Sequence, residues 1–152
     1  MPPRVRRKMR RLVVRLRLEG RTPARRAAAI GIGLFIGLTP LYGVHFFMSL
    51  GAARLFGISR VWTYLATQVS QPYTVPFIFA AEIEAGSLLT RGSLLPARNL
   101  LARPWHYAPE LALGSLVLGL LFGAVAMACA YPLLRRRDAA RRRAAQKPRE
   151  AT

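Results

Sequence analysis

The chain has 152 residues, room for one domain, and is 53% hydrophobic with only 20% charged side chains. Its net charge of +18 is segregated: residues 1–26 hold eleven Lys/Arg against Glu19, residues 135–152 hold eight against Asp138 and Glu150, and residues 27–134 hold five against three. That distribution argues against a soluble nucleic-acid-binding domain, which mixes its phosphate contacts into a folded surface; it fits a membrane domain whose basic flanks stay cytoplasmic and meet anionic lipid headgroups.

Residues 4–20 read as a basic amphipathic helix. Val5, Met9, Leu12, Val13 and Leu16 recur at three- and four-residue spacing among arginines, a pattern suited to the inner leaflet. Gly20 ends it, and Thr22-Pro23 has the form of an N-cap followed by a first-turn proline. The basic leader is too long for a signal peptide and no small-residue cleavage site follows, so the next segment is expected to be retained.

Residues 27–53 are 27 without a formal charge, broken by T-P-L-Y-G at Thr39–Gly43. Pro40 removes a backbone donor and Gly43 loosens the chain, leaving two halves of about 20 Å each. Each is shorter than the ~30 Å hydrocarbon core, which suits a re-entrant hairpin or a strongly kinked span. Ala29, Gly33 and Gly37 form a small-residue stripe for close helix approach.

Residues 61–89 form the second hydrophobic segment, uncharged through Ala81 and interrupted by S-Q-P-Y-T-V-P at Ser70–Pro76. The polar residues Thr67, Gln68, Ser70, Gln71 and Thr74 either satisfy backbone freed by the prolines or line a cavity. Residues 91–110 read as an interfacial loop anchored by Trp105-His106-Tyr107. Residues 111–134 are the clearest span, 24 uncharged residues with Ser115, Gly119 and Gly123 at four-residue spacing. Arg135-Arg136-Arg137 then stops transfer and opens the basic tail. Cys129 is the single cysteine, so no intramolecular disulfide forms.

The expected fold is an all-α integral membrane protein: a basic amphipathic N-terminal helix, proline-broken or re-entrant helices, and one C-terminal transmembrane helix. Three parts follow: a cytoplasmic helix over 1–26, a membrane domain over 27–134, and a cytoplasmic tail over 135–152. Both termini inside require an even number of crossings. The first region is then a re-entrant hairpin while the second and third cross, or the first two exchange roles.

The stretch G-I-G-L-F-I-G-L-T-P-L-Y-G-V-H (Gly31–His45), with A-T-Q-V-S-Q-P-Y-T-V-P (Ala66–Pro76), Glu82 and Gly86, resembles the bacterial membrane family catalogued as domain of unknown function 2062. The likeness covers about residues 20–95. One departure is Gln71, where the family usually has Asn; the amide is kept and a methylene is added. The resemblance implies a multi-pass protein of the bacterial inner membrane with no catalytic residues assigned. Relatives joined to glycosyltransferase-like domains point toward envelope or lipid-linked sugar chemistry.

Paired proline breaks in consecutive membrane segments mark substrate sites in transporters, where half-helix ends aim at the ligand. The candidate binding residues are Pro40, Gly43, His45, Gln68, Ser70, Gln71, Pro72, Thr74, Pro76 and Glu82; two structural kinks are the competing reading. His45 suits either a proton carrier or headgroup contact, or a cap on a carbonyl exposed by Pro40. Glu82 is favoured over Glu84 for an inward position, since Gly86 lies one turn on along the same face, with Arg54 or Arg60 as its partner. The preferred reading leaves both acids at the interface.

No nucleophile–base arrangement and no metal-ligand cluster is apparent, so neither an enzyme, nor a metal, nor a cofactor is expected. Expected partners are the bilayer, anionic headgroups on the basic tails, and further copies through the small-residue stripes. The functions left open are handling of an amphipathic or anionic envelope substrate, a scaffold recruiting proteins through the tails, and a membrane-tethered nucleic-acid binder.

Overall fold

The computed structural model describes residues 22–41, 43–69, 72–94 and 104–146. The amphipathic helix expected over 4–20, the site candidates Ser70 and Gln71, most of the 91–110 loop and the last residues of the tail lie outside them. The described residues form five α-helices and one 3-10 turn: α1 Pro23–Gly37, α2 His45–Leu55, α3 Arg60–Thr67, α4 Val75–Arg91, the turn Pro104–Tyr107, and α5 Ala108–Gln146.

Each helix boundary has a local cause. Thr22 caps α1 by accepting a hydrogen bond from the Arg25 amide at 3.3 Å, and Pro23 occupies the first turn, where a missing N–H costs nothing. Pro40 stops α1, because the residue before a proline disfavours helical geometry. The Thr39 hydroxyl then donates to the freed Ile36 carbonyl at 2.6 Å. Gly43 turns the chain at φ 89° and α2 begins. Gly57, at φ 61°, closes α2 in a Schellman arrangement: the Ile58 amide donates to the Ala53 carbonyl at 3.0 Å, and the two side chains pack together. Pro76 differs from its expected role as a breaker. It sits in the first turn of α4 and starts a helix there.

Small residues decide how the helices pack. Gly31 lies on the Gly123 backbone and Phe35 on Gly119, so α1 runs antiparallel to α5. Gly33 meets the Thr63 backbone and Gly37 meets Thr67, so α3 runs alongside α1 in the same direction. Between them α2 returns along α1, its Ala53 packed on Ala29, and crosses back to α3 through an edge-to-face contact of Phe46 with Tyr64. Beyond the interruption α4 continues in the direction of α3 and packs antiparallel on the first turns of α5, with Gly114 against the Glu82 carbonyl and Gly86 against that of Glu110. Helix α5 is therefore the spine, carrying α4 on its first third and α1 on its middle. The stripes at Gly33/Gly37 and Gly119/Gly123 are filled by the chain's own helices.

Residues 108–144 make up the one described helix long and apolar enough to cross a membrane. Two ion pairs flank its uncharged stretch, residues 111–134. Arg91 binds Glu110 at one end through two guanidinium nitrogens, Nε at 3.0 Å, and Arg26 meets Asp138 at 3.2 Å at the other. Glu110 and Asp138 are 28 residues apart. On a helix that is about 42 Å, the thickness of a bilayer with its headgroups.

Candidate functional site

The two interruptions lie side by side. Gly37 ends α1 with its backbone against Thr67 and Val69, the residues at which α3 ends, so the two helices stop at one level. Phe46 and Tyr64 stack across the same level, and the Gln68 amide reaches the Tyr64 hydroxyl at 3.5 Å. Four helix ends gather there: the C-termini of α1 and α3 and the N-termini of α2 and α4. Phe35 rests on Gly119, which places this level about 14 Å along α5 from Glu110 and about 29 Å from Asp138. It is off-centre, nearer the Arg91–Glu110 end.

Most polar groups at the interruptions are bound by their own neighbours. His45 Nε2 donates to the Thr39 carbonyl at 3.1 Å and ties the α1–α2 turn across Pro40. A carbonyl contact is one of the two roles left open for it from sequence. Thr74 donates to the Val69 carbonyl at 2.8 Å, bridging the α3–α4 interruption, and Thr67 donates to Tyr64 at 2.7 Å. Pro40 is half-buried in the turn, whereas Gly43 and Pro72 are exposed. The helix N-termini are different. Neither Val44 before α2 nor Thr74 before α4 gives a side-chain cap, so the first-turn amides of both helices lack an acceptor from the capping residue.

Glu82 stands apart from this group. It lies seven residues into α4, about 10 Å beyond its start, on the face that packs against α5. The residue is fully buried at 0% exposure, and neither carboxylate oxygen has a hydrogen-bond partner. From sequence both acids are expected at the interface, with Glu82 the choice of the two for an inward position; in the structure Glu82 is enclosed, on the same face as Gly86. The structure corrects the expected partner: neither Arg54 nor Arg60 bonds to the carboxylate. Both belong to the α2–α3 end of the bundle, well below Glu82. Glu84 is half-buried, as two residues' rotation on a helix requires.

Sequence reading passed over the ion pair above Glu82. Glu110 is 7% exposed on its side chain and Arg91 51%. The Glu110 carboxylate is held below the usual range, first by a hydrogen bond involving its own backbone and further by Arg91, against the opposing cost of burial. Its signal was present in the sequence: an acid immediately before a long apolar helix favours the positive N-terminal end of the helix dipole. A second overlooked feature is an apolar groove of about 380 Å³ between α1, α2 and α5, lined by Phe35, Phe56, Leu120 and Met127 among others. Among the described residues no group of three or more His, Cys, Asp and Glu is placed to hold a metal ion.

The family model described as "Uncharacterized protein conserved in bacteria (DUF2062)" matches residues 6–143. No curated protein and no solved structure matches the chain.

Proposed function

The chain belongs to that uncharacterized bacterial family, and we propose that it is a multi-pass inner-membrane protein that binds an anionic, amphipathic envelope substrate at its paired helix interruptions. In this reading α5 is one crossing and α3–α4 is a second, broken one. The α1–α2 hairpin is re-entrant, and both basic termini stay on the cytoplasmic side. The observation that carries the reading is the alignment of the two interruptions through Gly37, Thr67 and Val69. It brings two N-termini without side-chain caps to one level inside the apolar span. The first-turn amides and the helix dipole favour negative charge at such ends, which suits a phosphate-bearing headgroup. The level lies nearer the outer face than the midplane, a depth suited to a headgroup handed toward that face. The protein acts without catalysis in this reading. Further copies would associate through exposed apolar surface, such as Phe47 on α2 and Phe77 on α4, because the small-residue stripes are already occupied.

The test uses single cysteines at positions 43 and 73 in a Cys129→Ser background, with 57 and 145 as references. Both break positions are expected to react with a small polar thiol reagent and to be protected by an anionic lipid-linked sugar. Break positions closed to every polar reagent would leave two packed kinks.

A second reading is favoured by the local bonding of Thr39, His45 and Thr74 together with the continuation of α5 past Asp138, where Arg141, Arg142 and Arg143 are exposed. Those features suit a scaffold that holds cytoplasmic partners on its basic tail. It predicts that removing residues 139–152 abolishes function while substitutions at the interruptions do not.

A further inference from the structure

We propose that Glu82 is a proton-binding site, whose carboxyl takes up one proton when α4 seats on α5 and gives it to water when that contact opens. The purpose of the site rests on the substrate-handling reading above; its chemistry rests on the α4–α5 contact alone.

Among the described residues, the two Glu82 oxygens are the only buried side-chain polar atoms without a partner. An ionised carboxylate taken into apolar packing without a counter-charge costs several kcal/mol, so the seated group requires either a cation or a proton. The surroundings exclude the first. A hard metal cation needs several oxygen ligands. Among the described residues no group of three or more His, Cys, Asp and Glu is placed to hold one, and the buried hydroxyls of the same two helices donate elsewhere, Ser87 toward the Glu84 and Ser93 carbonyls and Ser115 to that of Ala112. Arg91 is held by Glu110. A proton needs one oxygen, which Glu82 supplies.

The position suits exchange. Glu82 is level with Gly114, four residues and about 6 Å along α5 from Glu110, so it stands between the interruption and the nearer end of the span. The charged and titratable groups near it are few. Helix α5 carries no charge between Glu110 and Arg135, the 3-10 turn brings His106 and Tyr107, and α4 itself brings Glu84 and the paired Arg91.

The test treats the full chain, in vesicles of phosphatidylethanolamine and phosphatidylglycerol, with dicyclohexylcarbodiimide. A protonated carboxyl gives its proton to a carbodiimide nitrogen while the carboxylate oxygen bonds to the central carbon. Acyl migration to nitrogen then leaves a stable adduct, one whole reagent added and nothing expelled. Peptide mapping is expected to find the adduct on Glu82 and not on Glu84, with labelling that slows about tenfold per pH unit once the group ionises. Glu82→Gln should carry no adduct and should remove the loss of thermal stability that ionising Glu82 causes as pH rises, whereas His106→Gln should leave that loss in place. Unlabelled Glu82 together with coincident stability profiles for wild type and Glu82→Gln overturns the proposal. Unlabelled Glu82 with profiles that diverge supports a titrating carboxyl sealed from the reagent. Labelled Glu82 in a protein whose break positions exclude polar reagents keeps the proton site and removes its link to substrate.

Discussion

The helix interruptions and the α4–α5 contact both place polar groups inside an apolar span, and they treat them in opposite ways. At the interruptions, Thr39, His45 and Thr74 each bond a backbone carbonyl within six residues in sequence. The broken chain repairs itself with the side chains that break it. At the α4–α5 contact the helices are regular and closely packed, with Gly86 and Gly114 bringing backbone onto backbone, yet the Glu82 carboxyl enclosed there has no partner. Irregular backbone is thus not by itself a sign of unmet chemistry in this molecule. The unmet group is inside the regular part.

The largest expected effect comes from closing the α4–α5 contact to itself. A Cβ at Gly114 would fall on the Glu82 carbonyl, between two backbones that have no side chain to move aside. Gly114→Val should therefore cost about 3 kcal/mol or more in denaturant unfolding of the detergent-solubilised chain. A loss below ~1 kcal/mol would mean the contact is loose and the enclosure of Glu82 incomplete.

The next effect lies at the end of the same contact. Glu110→Gln removes the charge bound by Arg91, and a loss of about 1.5 kcal/mol is expected near neutral pH, discounted for the half-exposed arginine. The sign with pH follows from the lowered carboxylate. Its stabilisation is complete above the ordinary carboxylate value of about 4.3 and is lost as pH falls through the lower folded-state value. Melting temperatures of wild type and variant should therefore differ at pH 7 and converge in acid. A gap that stays constant into acid would show that Arg91 does not hold Glu110.

The smallest effect belongs to the interruptions. His45→Ala removes one hydrogen bond to the Thr39 carbonyl and should cost about 1 kcal/mol, because Thr39 still caps Ile36 and Pro40 still sets the turn. A loss equal to that of Gly114→Val would overturn the contrast between the two regions.

Much of the architecture was legible in the residues. The Thr22-Pro23 start, the stop at Pro40, the two interruptions and the long apolar helix all follow from local rules about donors, φ angles and hydrophobic run length. The Gly33/Gly37 stripe correctly signalled a close helix neighbour, but not which one. Pro72 and Pro76 look alike in the sequence, yet Pro76 begins α4, because a proline breaks a helix only where a preceding turn needs its N–H.

The sequence by itself determined the segregation of charge and the lengths of the apolar segments, since these depend on local composition alone. Only the tertiary structure decided that Gly37 aligns the two interruptions, that Glu110 pairs with Arg91 and that Glu82 pairs with neither Arg54 nor Arg60. The physical reason is that small residues permit close approach without specifying a partner. The choice among possible partners is made by the summed packing of α1, α3 and α4 around α5, which no single segment encodes.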